Sequence, residues 1–356
     1  ELKDTISVYK NGYIITSQFL GDLDEYQNYR YFEETVAHLC LLFDVRPEVV
    51  VSDLHPHFRT TRWAERSGLP HLRVQHHFAH VLAVLLEHKI PCGEAVLGVA
   101  LDGYGYGADG GAWGGEFLLA DYSSFTRVAS FRPVPLPGGD LAAREPWRMG
   151  LSYLCDAFGL PLPKVKAFEK VDPKKLKAVL GMIQHGVNSP PTSSCGRLFD
   201  AVSFMAGEAP VQVEFEAEAP MRLEVLSRKR TSRVYPFFLT TDAKPWELSF
   251  VETIRSIVGD VEAKVGAERI GSAFHRTLAE AMTAVAVRIK KEYGIRKVVL
   301  VGGVFLNRVL LALTTEALER RGFGVFRPVR YSPNDESISL GQIAYALARL
   351  KKEKPG

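Results

Sequence analysis

His76 and His80 lie four residues apart, and that spacing suits a metal ion. They belong to the run Val-Gln-His-His-Phe-Ala-His, which leads into an apolar, helix-like segment ending at His88. On a helix, positions i and i+4 share a face one turn apart, so two imidazoles can meet one cation. His77 points elsewhere. No Glu follows the first histidine, so the His-Glu-x-x-His pattern of metalloproteases is absent. The competing reading is a pair of structural histidines near a strand end. Asp102 closes the next apolar run, from Ala95 to Leu101, and is the natural third ligand. His76, His80 and Asp102 are therefore the first candidates for chemistry.

Asp102 also opens a glycine-rich stretch containing Gly103, Gly105, Gly107, Gly110, Gly111, Gly114 and Gly115. Glycine permits positive φ and close backbone approach, and free N–H groups in such a turn suit phosphate. The stretch is neither a P-loop nor a dinucleotide fingerprint: no Gly-Lys-Ser/Thr follows, and the run returns into a strand. A loose surface hairpin explains it equally simply.

Three later segments hold further candidates. Gly302-Gly303 stands between a short apolar strand and a helix, where a base or phosphate could approach the backbone, and Asn307 could read an adenine edge. A tight strand-to-helix turn is the alternative. Asp200, in Cys195-Gly196-Arg197-Leu198-Phe199-Asp200, either caps a helix or binds ribose hydroxyls, and capping is the simpler expectation. Nothing near Cys195 in sequence supplies a base to make it a nucleophile. Asp335, after Ser332-Pro333-Asn334, is a helix-start acid or a fourth metal ligand, and position alone favours the helix start.

The elements that must position these residues follow a repeating pattern. Asn11-Gly12 joins two β-rich runs and signals a hairpin. Residues 26–43 have helical apolar spacing, residues 49–51 and 72–74 read as short strands, and helices are expected at 59–67 and 78–88. Residues 95–101 and 116–121 should pair around the glycine turn, with a third strand at 126–134. Helices follow at 151–158, 173–185, 199–206 and 271–293; then strand 298–301, helix 306–321, strand 324–327 and helix 338–350. Strands alternating with helices imply a sheet with helices on its faces. The expected fold is α/β, a duplicated ribonuclease-H-like unit of the actin and sugar-kinase kind. The first subdomain is expected over residues 1–93 and the second over 94–356, with a helical insertion at about 141–245. In open α/β sheets ligands sit at the carboxyl ends of strands, in the cleft.

Composition bounds the rest. The 356 residues are 46% hydrophobic and 24% charged, as in a globular protein, and suffice for one large or two ordinary domains. A formal net charge of +3 gives no reason to expect nucleic-acid binding. The basic clusters at 164–177 and Arg228-Lys229-Arg230 read as solvated faces or a local docking patch. Cys40, Cys92, Cys155 and Cys195 are far apart and form no Cys-x-x-Cys, so a cytoplasmic location is the expectation. No signal peptide or apolar run of membrane length is seen, so no membrane partner is expected. The opening Glu1 suggests an excised fragment or processed product.

Taken together, these motifs resemble a known family. Val-Gln-His-His-Phe-Ala-His, Leu-Asp-Gly-Tyr-Gly-Tyr-Gly, Trp-Gly-Gly-Glu, Arg-Glu-Pro-Trp-Arg, Ser-Cys-Gly-Arg-Leu-Phe-Asp-Ala-Val, Gly-Gly-Val-Phe-Leu-Asn and Asn-Asp-x-x-x-x-Leu-Gly-Gln are similar to the carboxy-terminal domain of the HypF carbamoyltransferases of [NiFe]-hydrogenase maturation. The likeness runs from Glu1 to Gln342. The Arg-Leu-Phe-Asp-Ala-Val segment sets it apart from TsaD-type tRNA threonylcarbamoyl transferases and antibiotic O-carbamoyltransferases.

The resemblance implies an actin-like transferase that takes carbamoyl-adenylate, made upstream from carbamoyl phosphate and ATP. It passes the carbamoyl group to the C-terminal cysteine thiol of HypE. It implies a divalent metal, zinc or iron, on His76, His80, Asp102 and Asp335. It implies ATP, AMP or carbamoyl-adenylate at Gly302, Gly303, Asn307 and Asp200, with the hairpin glycines Gly103, Gly114 and Gly115 facing phosphate. The family's Asn-Asp-Gly-Gly is Asn-Asp-Glu-Ser here, with less backbone freedom at Glu336-Ser337. The upstream acylphosphatase-like, zinc-finger-like and adenylate-forming parts are absent from these residues, so the transfer half alone is expected. A tRNA-modifying relative would favour a strongly basic face, an ATP-dependent kinase would lack the histidine pair, and a non-catalytic nucleotide-binding module is the remaining rival.

Overall fold

The computed structural model describes residues 3–227 and 231–353. Glu1-Leu2 and the basic run Arg228-Lys229-Arg230 lie outside the described residues. Asn11 and Gly12, with φ of 50° and 86°, fold β1 (Ser7–Lys10) back onto β2 (Tyr13–Thr16) as the expected antiparallel hairpin. Helix α1 (Tyr26–Leu42) follows and buries Phe32 and Leu39. Next, β3 (Val50–Asp53), α2 (Arg59–Arg66) and β4 (His71–Val74) form a parallel β-α-β unit. The hairpin and the β3·β4 pair stay two separate two-stranded sheets, so this part of the chain is less continuous than the repeating pattern predicts.

Helix α3 (His76–Glu87) leads into a nine-stranded sheet. Its centre is an antiparallel meander of β5 (Val96–Tyr106), β6 (Ala112–Ala120) and β7 (Phe125–Phe131). After the short β8 (Val134–Pro135) the chain is mostly helical: α4 (Leu141–Arg144), α5 (Pro146–Phe158), α6 (Pro173–His185), α7 (Cys195–Met205) and α8 (Glu218–Leu226). Within this stretch β9 (Pro191–Thr192) touches β6. The chain rejoins the sheet through β10 (Phe238–Thr240) and β11 (Trp246–Ser249), the latter parallel to β7. Helices α9 (Val251–Glu262) and α10 (Ala267–Tyr293) precede β12 (Lys297–Val301), then α11 (Arg308–Arg320), β13 (Gly324–Phe326) and α12 (Ile338–Glu353) complete the chain. The order is β10-β11-β7-β6-β5-β12-β13, with β12 parallel to β5 and β13.

Most of the glycine-rich run is strand and not turn. β5 continues to Tyr106 and β6 begins at Ala112, leaving a tight turn held by Gly107 N–H on Gly111 O at 2.9 Å. The helix-like residues 251–262 and the strands at 238–240 and 246–249 extend the element list beyond the sequence reading.

Side chains of β5 alternate between two cores. Leu97, Val99 and Leu101 face the large core with α5, α7 and α10, whereas Val96 and Ala100 join α3, β12 and α12. That alternation is the period-two geometry of a strand covered on both faces. Helix α3 is buried from His76 through Leu85 because it is clamped between β5 and α12. Two glycines permit this approach: a Cβ on Gly98 would strike Val81, and one on Gly341 would strike the Ala79 carbonyl. Among the described residues no helix is long and apolar enough to cross a membrane.

Candidate metal centre

Gln75 sets the start of α3. Its side chain accepts from Phe78 N–H at 2.9 Å, so His76 becomes the first helical residue and His80 lies one turn below it. Their rings stand edge to face, 5.0 Å between centroids. Asp102 arrives from β5 at an irregularity. The β5·β6 register shifts between Leu101 and Gly105, and Asp102 lies in that break. Such bulges re-aim side chains, here toward α3. Asp335 comes from the turn before α12. Gly302, at φ 98° and packed on the Leu101 backbone, donates its N–H to Pro333 O at 3.0 Å and so ties that turn to β5.

The four side chains converge. His76 Nε2 is 3.6 Å from both Asp102 Oδ2 and Asp335 Oδ1, and His80 Nε2 is 3.4 Å from each. One ligand atom from each residue fits within 4.8 Å of every other. These separations are too long for good hydrogen bonds, and His76 Nε2, His80 Nε2 and Asp102 Oδ2 are buried with no hydrogen-bond partner. Around a cation with bonds of about 2.0–2.2 Å, tetrahedral ligand atoms lie roughly 3.3–3.6 Å apart. The donor set of two imidazoles and two carboxylates, and its spacing, fit a divalent ion.

Electrostatics agree. Burial opposes charge on both imidazoles, but Asp102 and Asp335, with Asp53 at His76, outweigh it. The His76 pKa is held well above its ordinary value and that of His80 is raised. Burial likewise opposes charge on Asp335 and Asp102, and the two histidines outweigh it, holding Asp335 well below the carboxylate range and lowering Asp102. The pocket thus holds two carboxylates and two imidazoles whose protons a cation can displace.

Asp53 is a site residue that the sequence reading passed over as a strand end. Its Oδ2 lies 2.9 Å from His76 Nδ1, which fixes the tautomer and turns Nε2 into the cluster. The available signal was an acid at the carboxyl end of β3, alongside the strand that feeds α3. His77 points away, as expected: its Nδ1 lies 3.1 Å from Gln75 Nε2, its ring stacks on Trp113, and burial pushes its pKa well down.

The nucleotide candidates divide into two groups. Gly103 and Gly303 flank Asp102 with little in front of them: a Cβ on Gly103 would meet only Arg197, at 3.9 Å, and one on Gly303 would meet Asp102 Oδ1 at 3.2 Å. Asp200 lies one turn into α7, 2.8 Å from Arg197, the side chain that faces Gly103. Burial raises its pKa to about 6 against the pull of Arg197. It is not the cap: Ser194 caps α7 by accepting from Arg197 N–H at 3.1 Å. Cys195 is buried and its thiol pKa is pushed well up, so it is a packing residue.

Gly114, Gly115 and Asn307 are committed elsewhere. The N–H groups of Gly114 and Gly115 both donate to Glu116 Oε1, at 3.1 and 3.2 Å, and added Cβ atoms would strike the Asp102 carbonyl and Ser193 carbonyl. Their missing side chains serve the approach of protein backbone, which corrects the phosphate-facing expectation for these two. Asn307 Oδ1 caps α11 by accepting from Leu310 N–H at 2.9 Å, and its Nδ2 donates to buried His275 at 2.8 Å. Both ends of the amide are thus engaged within the protein, and the structure gives Asn307 a helix-cap role in place of the adenine-reading expectation. Asp335 opens the one-turn helix as position suggested, with Asn334 as the cap, yet also completes the cluster.

Comparison with known proteins gives the family. The family described as "Carbamoyltransferase, Kae1-like Domain, second subdomain" matches residues 98–342, and the HypF Kae1-like domain matches residues 1–87. Carbamoyltransferase HypF of Rhizobium leguminosarum bv. viciae is 39% identical over 357 residues, covering 99% of this chain and 45% of the relative. A HypF homolog of Cupriavidus necator is 33% identical over 360 residues, covering 98% of this chain and 90% of the relative. The chain thus spans about half the length of the first curated relatives it matches. A full-length HypF crystallised in a phosphate- and nucleotide-bound form superposes with a TM-score of 0.92 at 36% identity, covering 98% of this chain and 54% of that one. HypF of T. kodakarensis superposes with a TM-score of 0.87 at 28% identity, covering 99% and 47%. The actin-like α/β architecture expected from the strand–helix pattern is the one these structures share, and the chain belongs to the HypF carbamoyltransferase family.

Proposed function

We propose that these residues form the transfer half of a carbamoyltransferase, moving a carbamoyl group from carbamoyl-adenylate to the C-terminal cysteine thiol of HypE. The observation that carries the reading is the convergence of His76, His80, Asp102 and Asp335, mutually unbonded, beside the open glycines Gly103 and Gly303. The solved relative bound to phosphate and nucleotide supports a nucleotide ligand. In the transfer, the thiolate sulfur attacks the carbamoyl carbon. A C–S bond forms, the bond to the phosphate oxygen breaks, AMP leaves, and the thiol proton passes to solvent.

The chain's own residues orient this reaction. Gly103 and Gly303 leave room for the adenylate phosphate and sugar against the backbone, and the Arg197–Asp200 pair lies within reach of the same face. His76, held by Asp53, and His80 fix the donor atoms facing the reacting group. A divalent ion on the four-residue cluster, zinc or iron, supplies Lewis-acid polarisation of a carbamoyl or phosphate oxygen when bound. Positioning a good leaving group against a thiolate is the main demand once activation is done. The four cysteines are free thiols, which suits a reducing cytoplasm.

The test supplies the adenylate directly. Purified, metal-loaded chain is mixed with synthetic carbamoyl-adenylate and HypE, and the acceptor's terminal peptide is weighed by mass spectrometry. A carbamoyl adduct is expected, with none from carbamoyl phosphate and ATP alone. Nucleotide binding without an adduct would make the chain a binding module.

A further inference from the structure

Arg197 is largely buried, yet its side chain makes no hydrogen bond. It stands in the first turn of α7, and that turn is pressed against the Asp102-Gly103 segment of β5. Ser194, the cap, sets its Oγ 2.9 Å from Asp102 O and 2.8 Å from Gly103 O, and a Cβ on Gly196 would lie 2.9 Å from the Gly103 Cα. The Arg197 side chain is left only 14% exposed. Its two ends face different things. Nε stands 2.8 Å from Asp200 Oδ2, and Nη2 faces the open side of Gly103, where an added Cβ would be 3.9 Å away. Close as they are, Arg197 Nε and Asp200 Oδ2 are not aligned for a hydrogen bond, and both atoms are buried without another partner.

Two other buried arginines show what a settled guanidinium looks like. Arg127 Nε donates to Glu116 at 2.6 Å and Nη2 to Ser193 Oγ at 3.3 Å. Arg148 Nε donates to Glu145, and Nη1 donates to Pro137 O at 3.4 Å. A guanidinium has five N–H donors and is effectively always charged. Burying it costs free energy unless those donors are met. At Arg197 the unmet end points past Gly103, the neighbour of Asp102, so the missing partner is an anion in the cleft.

We propose that Arg197 is a catalytic residue of the transfer, whose Nη2 end donates to the phosphate oxygens of the adenylate beside Gly103. The proposal rests on the carbamoyl-transfer reading and adds to it the group that receives the leaving charge. As the thiolate sulfur bonds to the carbamoyl carbon, the carbon–oxygen bond to phosphate breaks and its electron pair stays on that oxygen. AMP gains one negative charge in the step. A fixed cation at the phosphate stabilises this growing charge and gives up no proton. The planar fork matches two phosphate oxygens at once, which an ammonium cannot do. Inorganic phosphate offers the same oxygens without the nucleoside.

Calorimetry on the metal-loaded chain takes AMP, adenosine and inorganic phosphate as probes. Wild type should bind AMP more tightly than adenosine, and phosphate should compete with AMP. Arg197→Gln should weaken AMP by about tenfold to a hundredfold, the range of lost hydrogen bonds to a charged group, and leave adenosine unchanged. Arg197→Lys keeps the charge without the fork and should fall between. Phenylglyoxal modification of wild type, mapped by mass spectrometry, needs no folded variant: AMP should protect Arg197 and adenosine should not. AMP affinity that does not fall in Arg197→Gln, adenosine affinity that falls equally, or equal protection by adenosine overturns the proposal. The HypE adduct judges the transfer reading separately. Its absence in wild type sinks that reading, whereas an adduct formed by Arg197→Gln at the wild-type rate sinks the role of Arg197 alone.

Discussion

Asp102 and Glu116 sit on neighbouring strands of one sheet, almost opposite each other, and are buried by contrary logic. β5 and β6 pair Ala100 with Glu116 and Leu101 with Gly115. Glu116 is wholly buried, and its oxygens accept from Gly114 and Gly115 N–H, from Ser193 Oγ at 2.5 Å and from Arg127 Nε at 2.6 Å. Arg127 in turn lies over the Trp113 ring, 4.0 Å from its centroid. Asp102 Oδ2 has no hydrogen-bond partner, although two imidazoles stand at 3.4 and 3.6 Å. A buried carboxylate with every acceptor filled is part of the structure. One whose acceptor is left empty, among other empty donors aimed at the same point, awaits a charge from outside.

The contrast breaks most visibly in stability. Removing Glu116 takes the carboxylate from Arg127 Nε, leaving that guanidinium only Ser193 Oγ at 3.3 Å and Asp109 at 3.7 Å, and strands two buried N–H groups. Breaking a buried, hydrogen-bonded ion pair costs about 3–5 kcal/mol. Glu116→Ala should lose that much in urea denaturation. Asp102→Ala, measured in chelator, removes the Gly103 N–H bond at 2.8 Å and one of the two counter-charges facing His76 and His80, but Asp335 stays beside both rings and either ring can shed its proton, so its loss should be smaller. Equal losses would erase the distinction drawn here.

Metal loading tests the same contrast from the other side. An ion that binds only the folded chain stabilises it by about 4 kcal/mol when present at a thousand times its Kd. Wild-type Tm should therefore rise with added zinc or ferrous iron and fall back with chelator. In the double variant His76→Ala, His80→Ala the Tm should ignore both, and elemental analysis should find the ion lost. Equal metal content in both proteins removes these histidines from the site. Glu116→Gln, if folded, should keep the metal response.

A third buried polar group belongs with Glu116. His275 Nδ1 lies 2.7 Å from Gly271 O and Nε2 accepts from Asn307. Protonation would set N–H against N–H at Asn307. Burial lowers the His275 pKa to about 4, against the opposite pull of the Gly271 carbonyl. The unfolded chain then binds more protons than the folded one between about pH 4 and 6.5, so stability is full above 6.5 and falls with pH through that window. A fall from 6.5 to about 4 corresponds to about 3 kcal/mol. Asp200, raised to about 6, acts with the opposite sign but is common to wild type and variant. Between pH 7 and 4, wild type should lose about 3 kcal/mol more than His275→Gln in denaturation curves. Parallel curves would show that His275 is not neutral when buried.

Why the sequence yielded some of this and not the rest has local causes. The helical i, i+4 spacing of His76 and His80 is visible because both ligands lie on one element. Asp102 was reachable because it ends an apolar run. Asp335 was recognised by likeness and not by position, since its neighbours in the site are some 230 to 260 residues away in sequence. Asp53 was missed for the same reason: its role exists only through the parallel pairing of β3 with β4. Glycines misled in a consistent way. Gly114 and Gly115 announce close approach, but sequence does not say of what, and here it is the protein's own backbone. Asn307 and Asp200 exchanged expectations, because capping depends on which residue holds extended φ and ψ just before the helix; these are Asn307 and Ser194. Helix α9 was legible, with Val251, Ile254, Ile257, Val258 and Val261 at helical spacing, and was lost inside a long stretch read only coarsely.

Asp53 sharpens the comparison at the smallest scale, because it is a filled contact to a histidine of the unfilled cluster. Its carboxylate holds His76 Nδ1–H and, through Oδ1, the N–H of His55 at 2.9 Å. If the cluster is a metal centre, Asp53 sets the direction and basicity of one ligand without touching the ion. Partners of that kind are typically worth 10–100-fold in metal affinity, about 1.4–2.7 kcal/mol. Asp53→Asn retains the shape and can still accept from His76 Nδ1–H, but loses the charge. Metal affinity, read by competition with a chelator of known strength, should fall about tenfold in Asp53→Asn and toward a hundredfold in Asp53→Ala, with the ion still bound at saturation. A purely structural Asp53 would lower Tm in chelator and leave the affinity unchanged. Complete loss of the ion in Asp53→Asn would instead make Asp53 a ligand in its own right, and His76 Nδ1 the atom that turns away.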